Sequence, residues 1–197
     1  MEAQPRPASV VGEYYLQGVM ETASGFKLNS DSSFEFFFSY GALDREGRGT
    51  WKQEGNVILF TSNAKIAQDY TLVKTDKLAS TGVFVRITGG NSQLYRFIQV
   101  LTSVNGKKER SQANSEGWIK LTAGGMDSID LLFELCPDKN FSFTVKNRDL
   151  NYYEFRLEPS IMNIEFTDFR LEIHPDQLTG PHPLMIEKSF VYRKAGR

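Results

Sequence analysis

Residues Ser33–Trp51, SFEFFFSYGALDREGRGTW, carry the alternation of a β-strand. Aromatic side chains occupy its even positions: Phe34, Phe36, Phe38 and Tyr40. Because strand side chains alternate between two faces, this run presents one aromatic face and one mostly polar face, on which Phe37 is the exception. The charged stretch 41–47, GALDREG, indicates a turn, and Gly49 begins a second strand. The stretch predicts an antiparallel pair of strands with the even face of the first one buried.

Similar segments recur along the whole chain. Short alternating runs are separated by turn residues at spacings of roughly 8–12 residues, a pattern typical of sandwiches and barrels. Asn105-Gly106 is the strongest hairpin signal, and the best helix candidate, 63–69, is only two turns long. The Pro-rich segment 174–183, HPDQLTGPHP, is predicted to be a loop that cannot be a central strand. The sequence therefore predicts an all-β protein.

The chain of 197 residues is long enough for one large β domain or two smaller ones. Because the strand pattern restarts near residue 102, we expect two packed antiparallel domains, a β-barrel or meander followed by a β-sandwich. Their expected bounds are 12–101 and 102–197, after a loose N-terminal segment, 1–11. Exposed strand edges would allow homo-oligomers to form by edge pairing.

Charge and cysteine content exclude several classes of protein. The formal net charge is −1 and no long charged run occurs, which argues against nucleic acid as a partner because neutralising phosphates requires a basic excess. No apolar run is long enough for a membrane span. Cys136 is the only cysteine, so a disulfide within the chain is impossible, and a buried, inert thiol is expected. The N-terminus lacks a signal peptide, so we expect an exported or periplasmic protein if a leader was removed and a cytoplasmic one otherwise.

The turn after the aromatic strand supplies the candidate ligand-binding residues. These are Asp44, Arg45 and Arg48, with Tyr40 and Trp51 on either side. Loops on a rigid scaffold often carry function, and a planar guanidinium can orient a carboxylate or phosphate. The alternative is a solvated hairpin turn. Likewise, the aromatic face is core in the favoured interpretation, and in the other it lines a cavity for a small apolar ligand.

Two histidines flank the Pro-rich segment. His174 and His182, with Asp176, are weak candidates for a metal site, but their spacing matches no standard motif and surface histidines are the favoured interpretation. We identify no catalytic residue and expect no cofactor.

Three segments of the first half together resemble the small lipocalin-like β-meander domains of many exported bacterial proteins: 12–15 (GEYY), 26–34 (FKLNSDSSF) and 49–59 (GTWKQEGNVIL). Residues 100–107 (VLTSVNGK) and 116–119 (EGWI) resemble transthyretin-like or carboxypeptidase-regulatory-like sandwiches. Such domains act as binding, carrier or supporting modules, and they share no catalytic residues. The resemblance implies a non-catalytic binding or interaction module, envelope-associated or secreted, with a small apolar ligand or a protein as partner. The alternative is a hydrolase-type enzyme that uses the loop histidines and carboxylates, which would require them to converge in one pocket.

Overall fold

The structure is a computed structural model that describes residues 10–41, 43–63, 68–104, 107–122 and 125–196, apart from the side chain of Lys188. The predicted N-terminal segment 1–11 and helix candidate 63–69 fall largely outside these ranges. The described strands are β1 (Gly12–Leu16), β2 (Thr22–Leu28), β3 (Ser33–Tyr40), β4 (Leu43–Glu54), β5 (Val57–Thr61), β6 (Tyr70–Asp76), β7 (Val83–Thr88), β8 (Ile98–Val104), β9 (Lys107–Gln112), β10 (Trp118–Leu121), β11 (Ser128–Phe133), β12 (Asn140–Thr144), β13 (Tyr152–Leu157), β14 (Phe169–His174), β15 (Gln177–His182) and β16 (Met185–Lys194). Short 3-10 helices span Ser92–Phe97 and Pro159–Met162, and within the described ranges no helix has the length and apolar character to cross a membrane.

The protein is all-β, as predicted, but the chain does not divide where the sequence suggested. One compact unit comprises Met1–Ile66 with Met162–Arg197, and the other comprises Ala67–Ile161. In the first unit eight strands close into a barrel in the order β1-β16-β15-β14-β5-β4-β3-β2. The predicted boundary near residue 101 is therefore wrong, because β14 and β16 pair with β5 and β1 of the first half and β15 lies between them.

The second unit consists of two four-stranded sheets, β10-β7-β13-β6 and β12-β11-β8-β9. They face each other through aromatic contacts, such as Phe143 with Phe155 at 5.6 Å between ring centroids, which makes this unit a sandwich. Strands β8 and β9 form the hairpin predicted around 105–106, with Val104 opposite Lys107, although the two turn residues lie outside the described ranges. The unit is not purely antiparallel as predicted, because β13 runs parallel to β7.

The barrel core confirms the predicted burial of the aromatic strand. Phe34, Phe36 and Phe38 of β3 are all buried, whereas Tyr40 is exposed at the end of the strand. Around them the barrel is filled by further large side chains, among them Phe26, Phe60, Phe166, Leu171, Leu178 and Tyr192. The aromatic face is therefore core.

The Pro-rich segment is a strand, contrary to the prediction. Residues of β15 pair with β14 on one side and β16 on the other. Pro181 has no backbone N–H to donate. It is tolerated because the pairing with β16 shifts register between Gly180 and His182, so no regular backbone hydrogen bond is lost at this position. Gly180 has a φ of 150°, which few other residues adopt.

The charged stretch after the aromatic strand is also strand rather than turn. Only residues 41 and 42 separate β3 from β4, and Arg45 pairs with Phe38. The inward positions of β4 include Gly47, where an added Cβ would overlap the ring of Phe166. Because glycine leaves this space open, Phe166 reaches the barrel core, where it contacts Phe34 with 5.1 Å between ring centroids.

Candidate functional site

A groove lies on the outer wall of the barrel, across β1, β2, β3 and β4. Strand register places two rows of outward side chains beside each other. One row is charged with alternating sign: Glu13, Lys27, Glu35 and Arg48. The other row contains Tyr15, Gly25, Phe37 and Glu46. Apart from Gly25, which lies beneath the Phe37 ring, these residues line a cavity of about 270 Å³.

Gly25 explains why the groove has an aromatic wall. Its missing side chain lets the ring of Phe37 lie down over β2, since a Cβ there would come within 3.0 Å of the ring. Phe37 contacts Tyr15 edge to face, with 6.2 Å between ring centroids. Both rings stay accessible, Tyr15 with 41% of its surface exposed and Phe37 with 40%. Two exposed aromatic rings side by side on a barrel exterior form a surface suited to contact with another molecule.

The charged side chains of the groove differ in how firmly they are paired. Glu46 accepts a hydrogen bond from Arg48 at 2.8 Å. Glu13 accepts one from the Tyr15 hydroxyl at 2.8 Å, and this bond raises the pKa of that hydroxyl. Glu35 has a looser partner, with Lys27 Nζ 4.0 Å away. Glu35 is thus the carboxylate best able to accept a new cation.

The size of the groove limits what it can hold. Phe26 and Phe36 line it although their side chains are buried in the core, so they contribute backbone to its floor. Small-molecule pockets usually enclose about 300–1,000 Å³, so this groove fits a small organic molecule or a single side chain of a partner.

The five ligand-binding residues predicted from sequence do not come together. Tyr40 and Asp44 are exposed, and Arg48 points outward into the groove. Arg45 and Trp51 instead point inward: Arg45 is buried and its Nε donates to the carbonyl of Met162 at 3.4 Å. Trp51 donates from Nε1 to the carbonyl of Asn29 at 3.1 Å. The residues are split between two faces because they lie on a strand, and only Arg48 belongs to the groove.

The histidines and Asp176 are also separated. His174, at the end of β14, is exposed and lies 2.9 Å from the Thr179 hydroxyl, whereas His182 ends β15 inside the barrel with only 4% of its surface exposed. The expectation of a surface position is therefore right for His174 and wrong for His182. Five residues of strand separate Asp176 from His182, roughly 17 Å or more. Within the described ranges no group of three His, Cys, Asp or Glu side chains could hold a metal, and His174 and His182 do not converge as the hydrolase alternative requires.

His182 is a core residue whose two ring nitrogens both have hydrogen-bond partners. Its Nδ1 accepts a hydrogen bond from the Leu184 amide at 3.1 Å, which leaves the proton on Nε2, 3.0 Å from the hydroxyl of Ser24. That hydroxyl donates to the Phe37 carbonyl at 2.8 Å. The ring stacks on Tyr192, with 6.3 Å between centroids, and burial lowers the pKa of His182 to about 4. Cys136 is buried as well, as predicted.

Sequence reasoning missed the groove because its residues become neighbours only through the pairing of four strands. The outward charges were visible as polar positions, and Phe37 was visible as the aromatic residue on the wrong face. That exception was the one local signal that pointed to the groove.

No family model, curated protein or solved structure matches this chain. The functional conclusion therefore depends on the chemistry of its own residues.

Proposed function

We propose that this protein is a non-catalytic binding module whose barrel serves as a packed scaffold and whose groove on β1–β4 holds the ligand. The observation that carries this proposal is the pair of exposed rings, Tyr15 and Phe37, beside a charged row on a barrel whose interior is filled. A filled interior favours an external site over a ligand inside the barrel.

The chemistry of the groove favours a ligand with a cationic group next to an apolar part. Three carboxylates and two cations line it, so the local balance is negative. Glu35 offers the loosely paired carboxylate, and aromatic faces attract ammonium groups through their electron-rich surfaces. The ligand's apolar part would lie against Phe37 while its cation replaces Lys27 beside Glu35.

The test uses two probes of nearly equal size and opposite charge, 2-phenylethylammonium and 3-phenylpropionate. Titration followed by amide chemical shifts should show the ammonium probe binding at residues of β1–β4 and the carboxylate probe binding much more weakly. Phe37→Ser and Glu35→Gln should each weaken binding of the ammonium probe severalfold to tenfold. Tyr40→Ser is the matched control, since Tyr40 is an exposed aromatic residue of the same strand that lies outside the groove.

Equal binding of the two probes would contradict the assigned charge preference. Shifts confined to other surfaces, or binding that survives Phe37→Ser and Glu35→Gln, would show that the groove is not the site.

A further inference from the structure

The outward face of the sheet β10-β7-β13-β6 carries an unusual pattern of aromatic and charged side chains. Strand register arranges them in two rows across the sheet. The first row is Trp118, Arg86, Glu154 and Lys74, and the second row is Lys120, Phe84, Tyr152 and Asp76. Since neighbouring strands lie about 4.8 Å apart, each row spans roughly 14 Å. None of these residues belongs to the groove on the barrel.

Cations and rings contact each other throughout this face. The guanidinium carbon of Arg86 lies 4.6 Å from the centroid of the Trp118 ring. Lys120 Nζ lies 5.7 Å from the Phe84 ring, and Trp118 approaches Tyr152 with 6.1 Å between centroids. Trp118 nevertheless keeps 38% of its surface exposed. The stacked guanidinium fixes the orientation of the indole while its outer side remains available.

The positive charge at the Trp118 end of the face is not neutralised. Within the described ranges neither Arg86 nor Lys120 has a carboxylate in ion-pair contact, and Nη1 of Arg86 is buried with no hydrogen-bond partner. The acids are engaged elsewhere: Asp76 pairs with Lys74 at 2.9 Å, and Glu154 accepts a hydrogen bond from the Tyr152 hydroxyl at 2.8 Å. The guanidinium therefore keeps hydrogen-bond donors that no carboxylate of this face uses, and a planar guanidinium can bind an anionic oxygen.

We propose that this face binds an acidic polysaccharide, one whose sugar rings carry carboxylates. A pyranose ring has an apolar C–H face and a polar edge, which matches an exposed aromatic surface flanked by charged groups. A sugar ring stacks on Trp118, the sugar carboxylates bind Arg86 and Lys120, and the sugar hydroxyls donate to Glu154. The charges carry the choice of partner. In the part of the chain that the structure describes, Arg86 and Lys120 have no carboxylate in ion-pair contact and can bind anionic groups. Glu154 and Asp76 already have partners but, as carboxylates, can accept further hydrogen bonds from hydroxyls.

A single-stranded nucleic acid would also stack on the rings, but the charges favour the polysaccharide. Nucleic acids present a phosphate at every residue and are bound through a basic excess. Glu154 and Asp76 lie in the middle and at the end of the same rows and would repel phosphates, whereas both can accept hydrogen bonds from sugar hydroxyls.

The test measures binding of hexamers of galacturonic acid and of mannuronic acid to the full chain by calorimetry, with maltohexaose and a ten-nucleotide thymidine strand as comparisons. We expect one or both uronic acid hexamers to bind and the neutral hexamer to bind at least tenfold more weakly. Trp118→Ala should reduce affinity on the order of tenfold. Lys120→Gln removes an exposed charge and leaves the fold unchanged, so it tests the proposal even if Trp118→Ala does not fold. It should reduce affinity for the acidic hexamers but not for maltohexaose.

The controls are Tyr40→Ala and Lys52→Gln, an exposed aromatic residue and an exposed lysine of the barrel, which should leave affinity unchanged. Failure of both acidic hexamers to bind would overturn the proposal, and so would equal binding of maltohexaose. Tighter binding of the thymidine strand would assign the face to nucleic acid instead. Binding that survives both Trp118→Ala and Lys120→Gln would place the polysaccharide on another surface.

Discussion

Burial of His182 makes the stability of the barrel depend on pH. In the unfolded chain this imidazole titrates with its ordinary pKa of 6.5, whereas in the folded barrel its pKa falls to about 4. The unfolded state thus binds more protons between these values. The stability due to the neutral ring is fully present above pH 6.5 and is lost as the pH falls toward 4.

The magnitude follows from the size of the shift. Each pH unit corresponds to about 1.4 kcal/mol, so we expect His182 to remove about 3 kcal/mol from the free energy of unfolding between pH 7.5 and pH 4. The physical cause is visible in its contacts, because protonation of Nδ1 would turn the acceptor of the Leu184 amide into a second donor. It would also place a charge among the rings of Phe36, Phe38 and Phe190.

The assay is urea unfolding between pH 7.5 and pH 4, followed by Trp51 fluorescence in a Trp118→Phe background. Trp51 lies in the barrel and is then the only tryptophan, so the signal reports unfolding of this unit. Carboxylates also titrate in this range, so the decisive quantity is the difference between the parent and His182→Gln, which cannot titrate. That difference should change by about 3 kcal/mol across the range.

His174→Gln is the matched control, because it removes the other histidine and keeps His182. It should lose stability with acid as the parent does. The reasoning would be refuted if His182→Gln lost stability in parallel with the parent, or if ring chemical shifts gave His182 a pKa near 6.5.

Two further stability predictions follow from packing and hydrogen bonding. Phe36→Ala should reduce the free energy of unfolding by about 3–5 kcal/mol because it leaves a cavity in the buried core. Phe37→Ala, on the outer face, should reduce it by about 1 kcal/mol or less. Equal losses of the two variants in urea unfolding would contradict this assignment of faces. Asn151→Ala should destabilise the second unit by about 2–3 kcal/mol, because the buried Asn151 amide accepts a hydrogen bond from the Leu78 amide at 2.6 Å and donates to the Ser80 carbonyl at 2.9 Å. Hydrogen exchange at Leu78 should accelerate in that variant, and unchanged protection would show that the amide does not hold this loop.

The aromatic strand was predictable because its signal is local. Phe34, Phe36 and Phe38 occupy every second position among residues that are polar except for Phe37, and this period of two assigns them to one face. The first half of the next strand was taken for a turn because its inward positions include Arg45 and Gly47, neither of which looks like core. The ring that fills the space beside Gly47 comes from Phe166, far along the chain, and no window around residue 47 contains it.

Which strands pair with each other could not be predicted from the sequence, for a related reason. Turn residues and alternation define where a strand begins and ends, but they do not state which strand it pairs with when a long segment intervenes. Phe169–His174 looks the same whether it extends a sandwich or pairs with β5. The rows across β1–β4 and across β10-β7-β13-β6 depend on such pairings, so both proposed sites required the structure.

The insertion of a whole sandwich between β5 and β14 determines the order in which the chain can assemble. During synthesis the first five barrel strands emerge early, yet β1 can complete its pairing only when β16, at the other end of the chain, has been made. At about 5–20 residues per second, that interval is on the order of ten seconds. Until β14 and β16 are made, β5 and β1 present unpaired edges beside an aromatic surface, and unpaired edges are prone to wrong association. The inserted sandwich, whose strands are contiguous in sequence, can meanwhile fold within its own segment.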